Sequence, residues 1–339
     1  MMLISYPLDQ SALYKVGSKK RLALILNVPL AQLLDLAKSS ANYKVFLRKE
    51  EICPFTGKKT KERWVQEPKS RLRYVHDRIR KLLSKITAPA YCHSAIKGRS
   101  YVTNAAHHLT GRSVGEFERV GTFDIRRYYP STSRSSIRNF FAGRLLCAPD
   151  VADLLTNLCC YRGTDSSLAG TGLPTGSPLS PILSLYANKP MFDTLDELAT
   201  RHELVFTCYV DDLTFSGAVL PIGLRNTVAR VLHSFGHQIA SDKTRLFTRE
   251  QAMHVTGTVI KNKEVMVPHA RFKKARSIAI AMGLLSDNDS LGRLNLQRKL
   301  SGLLGEAAYV DRRYAQWAER SYADLKAVES EVRLLSAPA

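Results

Sequence analysis

Apolar positions along the chain fall into helical and strand periods that alternate unevenly. From Leu22 to Ala37, leucines, isoleucine and valine recur at helical spacings across Pro29, which predicts one or two packed helices broken near the proline. Tyr43 to Leu47 and Arg63 to Val65 read as the arms of a hairpin around the turn region Pro54-Phe55-Thr56-Gly57-Lys58. After Pro68, the residues Leu72, Val75, Ile79, Leu82, Leu83 and Ile86 form one helical stripe, with Arg71, Arg73, Arg78 and Arg80 on other faces. Val120 to Ile125 predicts a short strand. Leu204 to Tyr209 and Leu213 to Ser216 predict two more, joined at Val210-Asp211-Asp212. Helical stretches around Ser136 to Leu146 and Pro181 to His202 separate these strands. Three further helices are expected at Phe272 to Leu285, Leu291 to Leu304 and Tyr314 to Leu335. Strands interrupted by helices, with partners distant in sequence, indicate an α+β fold around an antiparallel sheet.

Composition narrows the class. The 339 residues are enough for two or three packed subdomains, and 45% hydrophobic with 24% charged residues is ordinary for a globular chain. No apolar run approaches the ~20 residues that cross a bilayer. Met1 to Gln10 lacks the features of a secretory leader, so a cytoplasmic location is expected. The six cysteines, Cys53, Cys92, Cys147, Cys159, Cys160 and Cys208, contain no CxxC pair, which argues against a zinc site or a disulfide framework. The net charge of +20 attracts polyanions, either nucleic acid or an anionic surface. Its cations recur at Arg63 to Arg80 and Arg271 to Arg276, in segments that also carry apolar periodicity, and so form charged faces of folded elements.

Candidate chemistry lies in two acidic motifs. Tyr209-Val210-Asp211-Asp212 sets paired carboxylates at the junction of two apolar strands, where burial is costly unless a cation is present. A solvated turn is the plain alternative, because Asp is common in turns. Phe123-Asp124-Ile125 embeds a third acid at the end of another strand. Side by side, Asp124 and Asp211 would reach the same ions, and oxygen ligands without His or Cys favour Mg²⁺ or Mn²⁺ over zinc. Two such ions suit in-line phosphoryl transfer.

With these motifs in hand, the chain resembles reverse transcriptases, and among them the bacterial retron enzymes. The catalytic-acid motif resembles Phe123-Asp-Ile-Arg-Arg-Tyr-Tyr-Pro-Ser-Thr132, the template-positioning motif Gly172-Leu-Pro-Thr-Gly-Ser-Pro-Leu-Ser-Pro181, and the third Tyr209-Val-Asp-Asp212. Ile239 to Thr244 is similar to the lysine-bearing motif and Leu300 to Leu304 to a thumb segment. Asn104-Ala-Ala-His-His108 and Val255-Thr-Gly257 resemble two retron signatures. Thr175 departs from the Gln that many relatives carry at this place. The resemblance runs from about Leu22 to about Leu304.

The resemblance implies a right-hand polymerase with N-terminal helices and fingers over 1–115, an antiparallel-sheet palm over 116–265 with a fingers or helical insertion over 133–171, and a helical thumb over 266–339. It implies that Asp124 and Asp211 are the principal metal ligands, with Asp212 supporting them. The backbone around Ile125, Arg126 and Arg127 is expected to contact the incoming triphosphate, and Tyr129 to exclude a ribose 2′-hydroxyl. Pro174, Thr175 and Gly176 would lie against template or nucleotide, Lys243 would neutralise pyrophosphate, and Lys69, Arg71 and Arg73 would supply fingers contacts. Asn104, His108, Val255, Thr256 and Gly257 would serve RNA recognition. The partners implied are a cognate structured noncoding RNA copied into RNA-linked DNA, dNTPs, and an effector protein in defence against phage. Alternatives are a group II intron-like or diversity-generating enzyme, against which the absence of an appended endonuclease or long maturase-like extension counts, and a non-catalytic RNA-binding scaffold.

Overall fold

The computed structural model describes residues 5–54, 59–110, 119–163, 172–286 and 289–335. Four parts of the expectations above lie outside these residues: Met1 to Ile4, Phe55 to Lys58 of the hairpin turn, the 115/116 boundary, and 164–171 of the expected insertion. The chain divides into two compact units, Met1–Lys49 with Glu62–Arg249, and Glu50–Lys61 with Glu250–Ala339.

The first unit opens with helices α1 (Lys19–Leu26) and α2 (Leu30–Lys38). Ser18 caps α1 by accepting from the Arg21 N–H at 3.2 Å, and Asn27 ends it in the left-handed region before Pro29. The antiparallel hairpin β1 (Tyr43–Arg48) and β2 (Arg63–Pro68) follows, with Tyr43 opposite Pro68. Helix α3 (Ser70–Leu83) buries Leu72, Val75, Ile79 and Leu83, as its stripe predicts; Ile86 is buried beyond the helix end. Helix α4 (Tyr101–Thr110) precedes strand β3 (Arg119–Asp124).

After β3 come the short helices α5 (Tyr128–Ser131) and α6 (Arg134–Asn139), a π-turn at Phe140–Arg144, and α7 (Pro149–Cys159). The stretch from Pro181 to His202 is two helices, α8 (Ser180–Ala187) and α9 (Lys189–Arg201), parted at Asn188 just before Pro190. Strands β4 (Val205–Tyr209) and β5 (Asp212–Gly217), helix α10 (Leu224–Ser234) and strand β6 (Arg245–Thr248) complete the unit.

These strands form one antiparallel sheet in the order β4-β5-β3-β6. Successive side chains alternate faces, so the register sorts them. On one face Phe123, Phe206 and Phe215 are buried, with Phe206 and Phe215 rings 4.9 Å apart and Phe123 edge-on to Phe215 at 5.7 Å. Fully burying side chains of this size contributes about 1.5–3 kcal/mol each, which fixes the register and hence the other face. The α+β expectation holds.

The second unit has a small antiparallel sheet, β7 (Met253–Val255), β8 (Thr258–Lys261) and β9 (Glu264–Met266). Helices α11 (His269–Gly283), α12 (Ser290–Val310) and α13 (Ala315–Leu335) match the three expected beyond Pro268. Among the described residues no helix is long and apolar enough to cross a membrane.

Candidate active site

The polar face of the four-stranded sheet carries three rows. In the first, Tyr209 pairs with Asp212, which stands directly opposite Asp124; in the second, Thr207 pairs with Thr214, opposite Thr122; in the third, Val205 pairs with Ser216, opposite Val120. Like charges directly opposite on adjacent strands repel, so the first row is held against its own electrostatics. Asp124 is 8% exposed, and Asp211 and Asp212 are half-buried.

The β4–β5 turn supplies Asp211. Val210 takes φ of 61° there, and a β-branched side chain in the left-handed region costs about 1–3 kcal/mol. Neighbours hold the strain in place. The Val210 N–H donates to Ser94 Oγ at 2.9 Å, and the Ile125 N–H donates to the Asp211 carbonyl at 2.9 Å. That second bond ties the turn to the end of β3, so the acids from the two motifs meet as the sequence predicts.

Their protonation reports the crowding. Burial, then the charges of Asp211 and Asp124, push Asp212 up to about 7; burial and Asp124 also raise Asp211. Lys243 answers with its Nζ 2.6 Å from Asp124 Oδ2. Burial works against that ammonium, but the Asp124 hydrogen bond and the three carboxylates raise its pKa overall. Three mutually repelling carboxylates with hard oxygen donors and a cation already drawn to one of them fit Mg²⁺ or Mn²⁺ chemically. Among the described residues, no three His, Cys, Asp or Glu side chains converge on one metal-sized point.

Tyr129 lies beside this row. Burial, with the charge of Asp211 next, raises its pKa, while Tyr128 is buried in the core. The turn that carries both is built on residues that sequence reasoning missed. His237 faces Ser131 Oγ at 2.8 Å and Asn188 Oδ1 at 3.0 Å, and Asn188 Nδ2 donates to Thr132 Oγ1 at 3.0 Å. Their signal is absent from the sequence because the partners are ~50–100 residues apart and follow no period.

One expectation needs revision. The Ile125 N–H is committed to Asp211 and the Arg126 N–H to the Gln238 carbonyl at 2.8 Å, and the Ile125 side chain is buried. The amides of Ile125 and Arg126 are therefore already engaged, while the Arg126 and Arg127 side chains are exposed. Lys69, Arg71 and Arg73 are exposed at the start of α3, where Arg73 pairs with Glu67 at 3.3 Å. Arg78, on a face of α3 away from its apolar stripe, donates to the Leu26 and Ile25 carbonyls at 3.1 and 2.9 Å.

The Gly172–Pro181 segment packs between elements. A Cβ on Gly172 would lie within 2.8 Å of the Tyr129, Pro130 and Thr132 carbonyls, so only glycine fits. The Leu173 N–H donates to the Tyr129 carbonyl at 3.0 Å. Beyond the turn, Ser177 Oγ meets His76 Nδ1 at 2.7 Å, and His76 Nε2 meets the Leu158 carbonyl at 2.8 Å.

The two signature motifs fall in different settings. Asn104 and His108, four residues apart, share one face of α4 and are buried. His108 Nε2 meets Thr207 Oγ1 at 2.8 Å and Nδ1 meets Ser216 Oγ at 2.7 Å, so α4 seals the second and third rows directly behind the carboxylates. Direct RNA contact by Asn104 or His108 is excluded in this conformation by burial. Val255 is buried at the end of β7, while Thr256 and Gly257 form the two-residue turn to β8, both at positive φ (42° and 83°).

No family model matches the chain. Its sequence is similar to the retron Se72 reverse transcriptase of Salmonella heidelberg, 32% identical over 206 residues, which are 59% of this chain and 48% of that protein. It is similar also to the retron Mx65 reverse transcriptase of Myxococcus xanthus, at 30% over 58% of this chain and 48% of that one. The retron Ec86 reverse transcriptase of Escherichia coli matches at 24% over 65% of each. The chain spans about half the length of the first two. Among solved structures, apo telomerase from Candida tropicalis is similar at a TM-score of 0.46 and 11% identity, covering 83% of this chain and 59% of that one, a likeness too slight to carry an argument. By sequence, this chain is similar over about 60% of its length to retron reverse transcriptases.

Proposed function

We propose that the chain is an RNA-directed DNA polymerase of retron type, which copies a cognate structured noncoding RNA into DNA linked to RNA. The observation that carries this reading is the row of Asp124 and Asp212 with Asp211 at its strained turn, beside Tyr129 and within reach of Lys243. Asp124 and Asp211 would hold Mg²⁺ or Mn²⁺, supported by Asp212. Bound there, the ions supply charge neutralisation for attack of a 3′-hydroxyl on the α-phosphate of a dNTP. Asp124, now paired with Lys243, would be among the residues holding the cation, and the Lys243 ammonium beside it would be placed to neutralise or protonate the departing pyrophosphate.

The remaining roles follow from placement. Tyr129 excludes a ribose 2′-hydroxyl by its bulk. Arg126, Arg127, Lys69, Arg71 and Arg73 offer cations to triphosphate or template. Cations at the first turn of α3 oppose the helix dipole, an arrangement that an anion would relieve. Pro174, Thr175 and Gly176 lie against template or nucleotide. His108 serves by bracing the sheet, with Asn104 on the same buried face of α4, and the turn of half-buried Thr256 and exposed Gly257 is offered to RNA. In this reading 1–115 act as fingers, 116–265 as palm and 266–339 as thumb. The protein works in the cytoplasm with an effector protein in antiphage defence.

The test is Mg²⁺-dependent dNTP incorporation on a primed RNA template, with nucleic acid co-purified with the protein sequenced in parallel. Incorporation that stops with EDTA, and recovery of one structured RNA joined to DNA, support the proposal. A protein that binds RNA and incorporates nothing with Mg²⁺ or Mn²⁺ is a scaffold instead.

A further inference from the structure

The turn Pro174-Thr175-Gly176 is held by a side chain that no motif contains. Gln66 of β2 is 2% exposed, and burying an amide is costly unless its polar atoms are met. Its Oε1 lies 3.2 Å from the Thr175 N and 3.0 Å from Thr175 Oγ1. A backbone N–H can only donate, so the facing atom is the amide oxygen. The Gln66 carbonyl accepts from the Gly176 N–H at 3.1 Å, and Thr175 Oγ1 also stands 3.1 Å from the Trp64 carbonyl. Contact is close enough that a Cβ on Gly176 would lie 2.8 Å from the Gln66 oxygen and 2.9 Å from Val65 Cγ1.

At its other end the same segment hangs from the Tyr129 carbonyl through Leu173. Only three residues, 173 to 175, span from the Tyr129 turn to β2, so the length of the Gln66 side chain sets where the turn stands relative to Tyr129. Gln66 also precedes Lys69, Arg71 and Arg73 on the same strand-to-helix segment. We propose that Gln66 is a positioning residue: it clamps Thr175 and Gly176 so that the turn and the α3 cations face an incoming nucleotide in one fixed arrangement. What the turn faces rests on the polymerase reading above; the clamp itself does not.

The clamp predicts which substitutions are coupled. Gln66→Leu removes the amide with little change in bulk, Thr175→Val removes only the hydroxyl, and Thr175→Ser keeps it. Steady-state incorporation of dNTPs on a primed RNA template gives KM and kcat, and hydrogen exchange on the full chain follows the Thr175 and Gly176 amides. Loss of a buried hydrogen-bond partner predicts a roughly tenfold rise in KM for dNTP in Gln66→Leu, with kcat within about threefold of wild type. Thr175→Val should show a smaller rise, and Thr175→Ser, which keeps the hydroxyl, a smaller one than Thr175→Val. Gln66→Leu with Thr175→Val should fall clearly short of the product of the two single effects, since one of the hydroxyl's two partners, Gln66 and the Trp64 carbonyl, is already gone. Exchange at Thr175 should quicken in Gln66→Leu. Multiplying effects in the double variant, a fall in kcat at unchanged KM, or unchanged exchange at Thr175 would overturn the clamp. If wild type incorporates nothing, the exchange measurements in Gln66→Leu and Thr175→Val still decide for or against the clamp, and only the polymerase reading fails.

Discussion

The acidic row and the two rows behind it, on one face of one sheet, are put to opposite uses. The first, Asp124 and Asp212 with Asp211 beside them, keeps three acids together at the cost of raised pKa values and a strained Val210. Behind it, Thr207 and Ser216 are closed over by α4 through His108, with both ring nitrogens and both hydroxyls satisfied. Repulsion accumulates where the chemistry would occur, and hydrogen bonding immediately behind keeps the strands from parting to relieve it. Substitutions in the acidic row and in the rows behind it should therefore move stability in opposite directions.

The largest effect is expected in the first row. Asp211→Asn with Asp212→Asn should remove DNA synthesis by at least about a thousandfold, while raising metal-free stability by about 1–3 kcal/mol, since like charges at a buried site disappear without loss of volume. Urea melts in EDTA would measure the second part. In the rows behind, His108→Ala should destabilise the first unit by about 3–5 kcal/mol, because it opens a cavity and strands two buried hydroxyls. A fall in stability in both places would break the comparison.

Acid should sharpen it. His108 and His76 are fully buried and held down to about 3 and about 4, by burial first, so the folded state binds fewer protons than the unfolded chain below pH ~6.5. Stability from these two histidines is complete above pH ~6.5 and is lost as pH falls towards their folded values, at about 1.4 kcal/mol per pH unit each. Asp212 acts in the opposite sense: raised to about 7, it costs the metal-free protein stability as pH rises from about 4 to about 7. Wild type should thus show a partly offset acid slope, and the double Asn variant a steeper one. Thermal melts between pH 7 and 4.5 compare them, and equal slopes would contradict the assignment.

Smaller effects test the flanks. Tyr129→Ala should lower discrimination against rNTPs by roughly tenfold or more, because the barrier is steric; unchanged discrimination would make Tyr129 a packing residue. Thr256→Asn should stabilise the second unit by about 1 kcal/mol, since asparagine accepts the left-handed region more readily than a β-branched residue. If the Thr256 side chain serves RNA, the same change lowers synthesis on the cognate RNA and leaves an ordinary annealed primer and template unaffected.

The elements easiest to read from sequence were those whose signals are local. Pro29 parts α1 from α2, the leucine stripe of α3 is buried as spaced, and alternation around Asp124 and Asp211 marks β3 to β5. Strands β6 to β9 run three or four residues, too short to develop alternation, and were not anticipated. The acids themselves were legible because charge interrupting an apolar strand is conspicuous in any single sequence. Their supports were not. Ser94, His76, Gln66, His237 and Asn188 act across long stretches of chain, and His108, whose motif implies RNA recognition, is held inside by its neighbours.

The central claim is that the acidic row is a cation-dependent centre for joining nucleotides. Its most direct measurement is extension of a primer on an RNA template by wild type and by Asp211→Asn with Asp212→Asn, at equal protein and in the presence of Mg²⁺. The account predicts extension by wild type, none by the variant, and a variant at least as stable to urea as wild type in EDTA. Extension by the variant, or its loss together with unfolding, would contradict it.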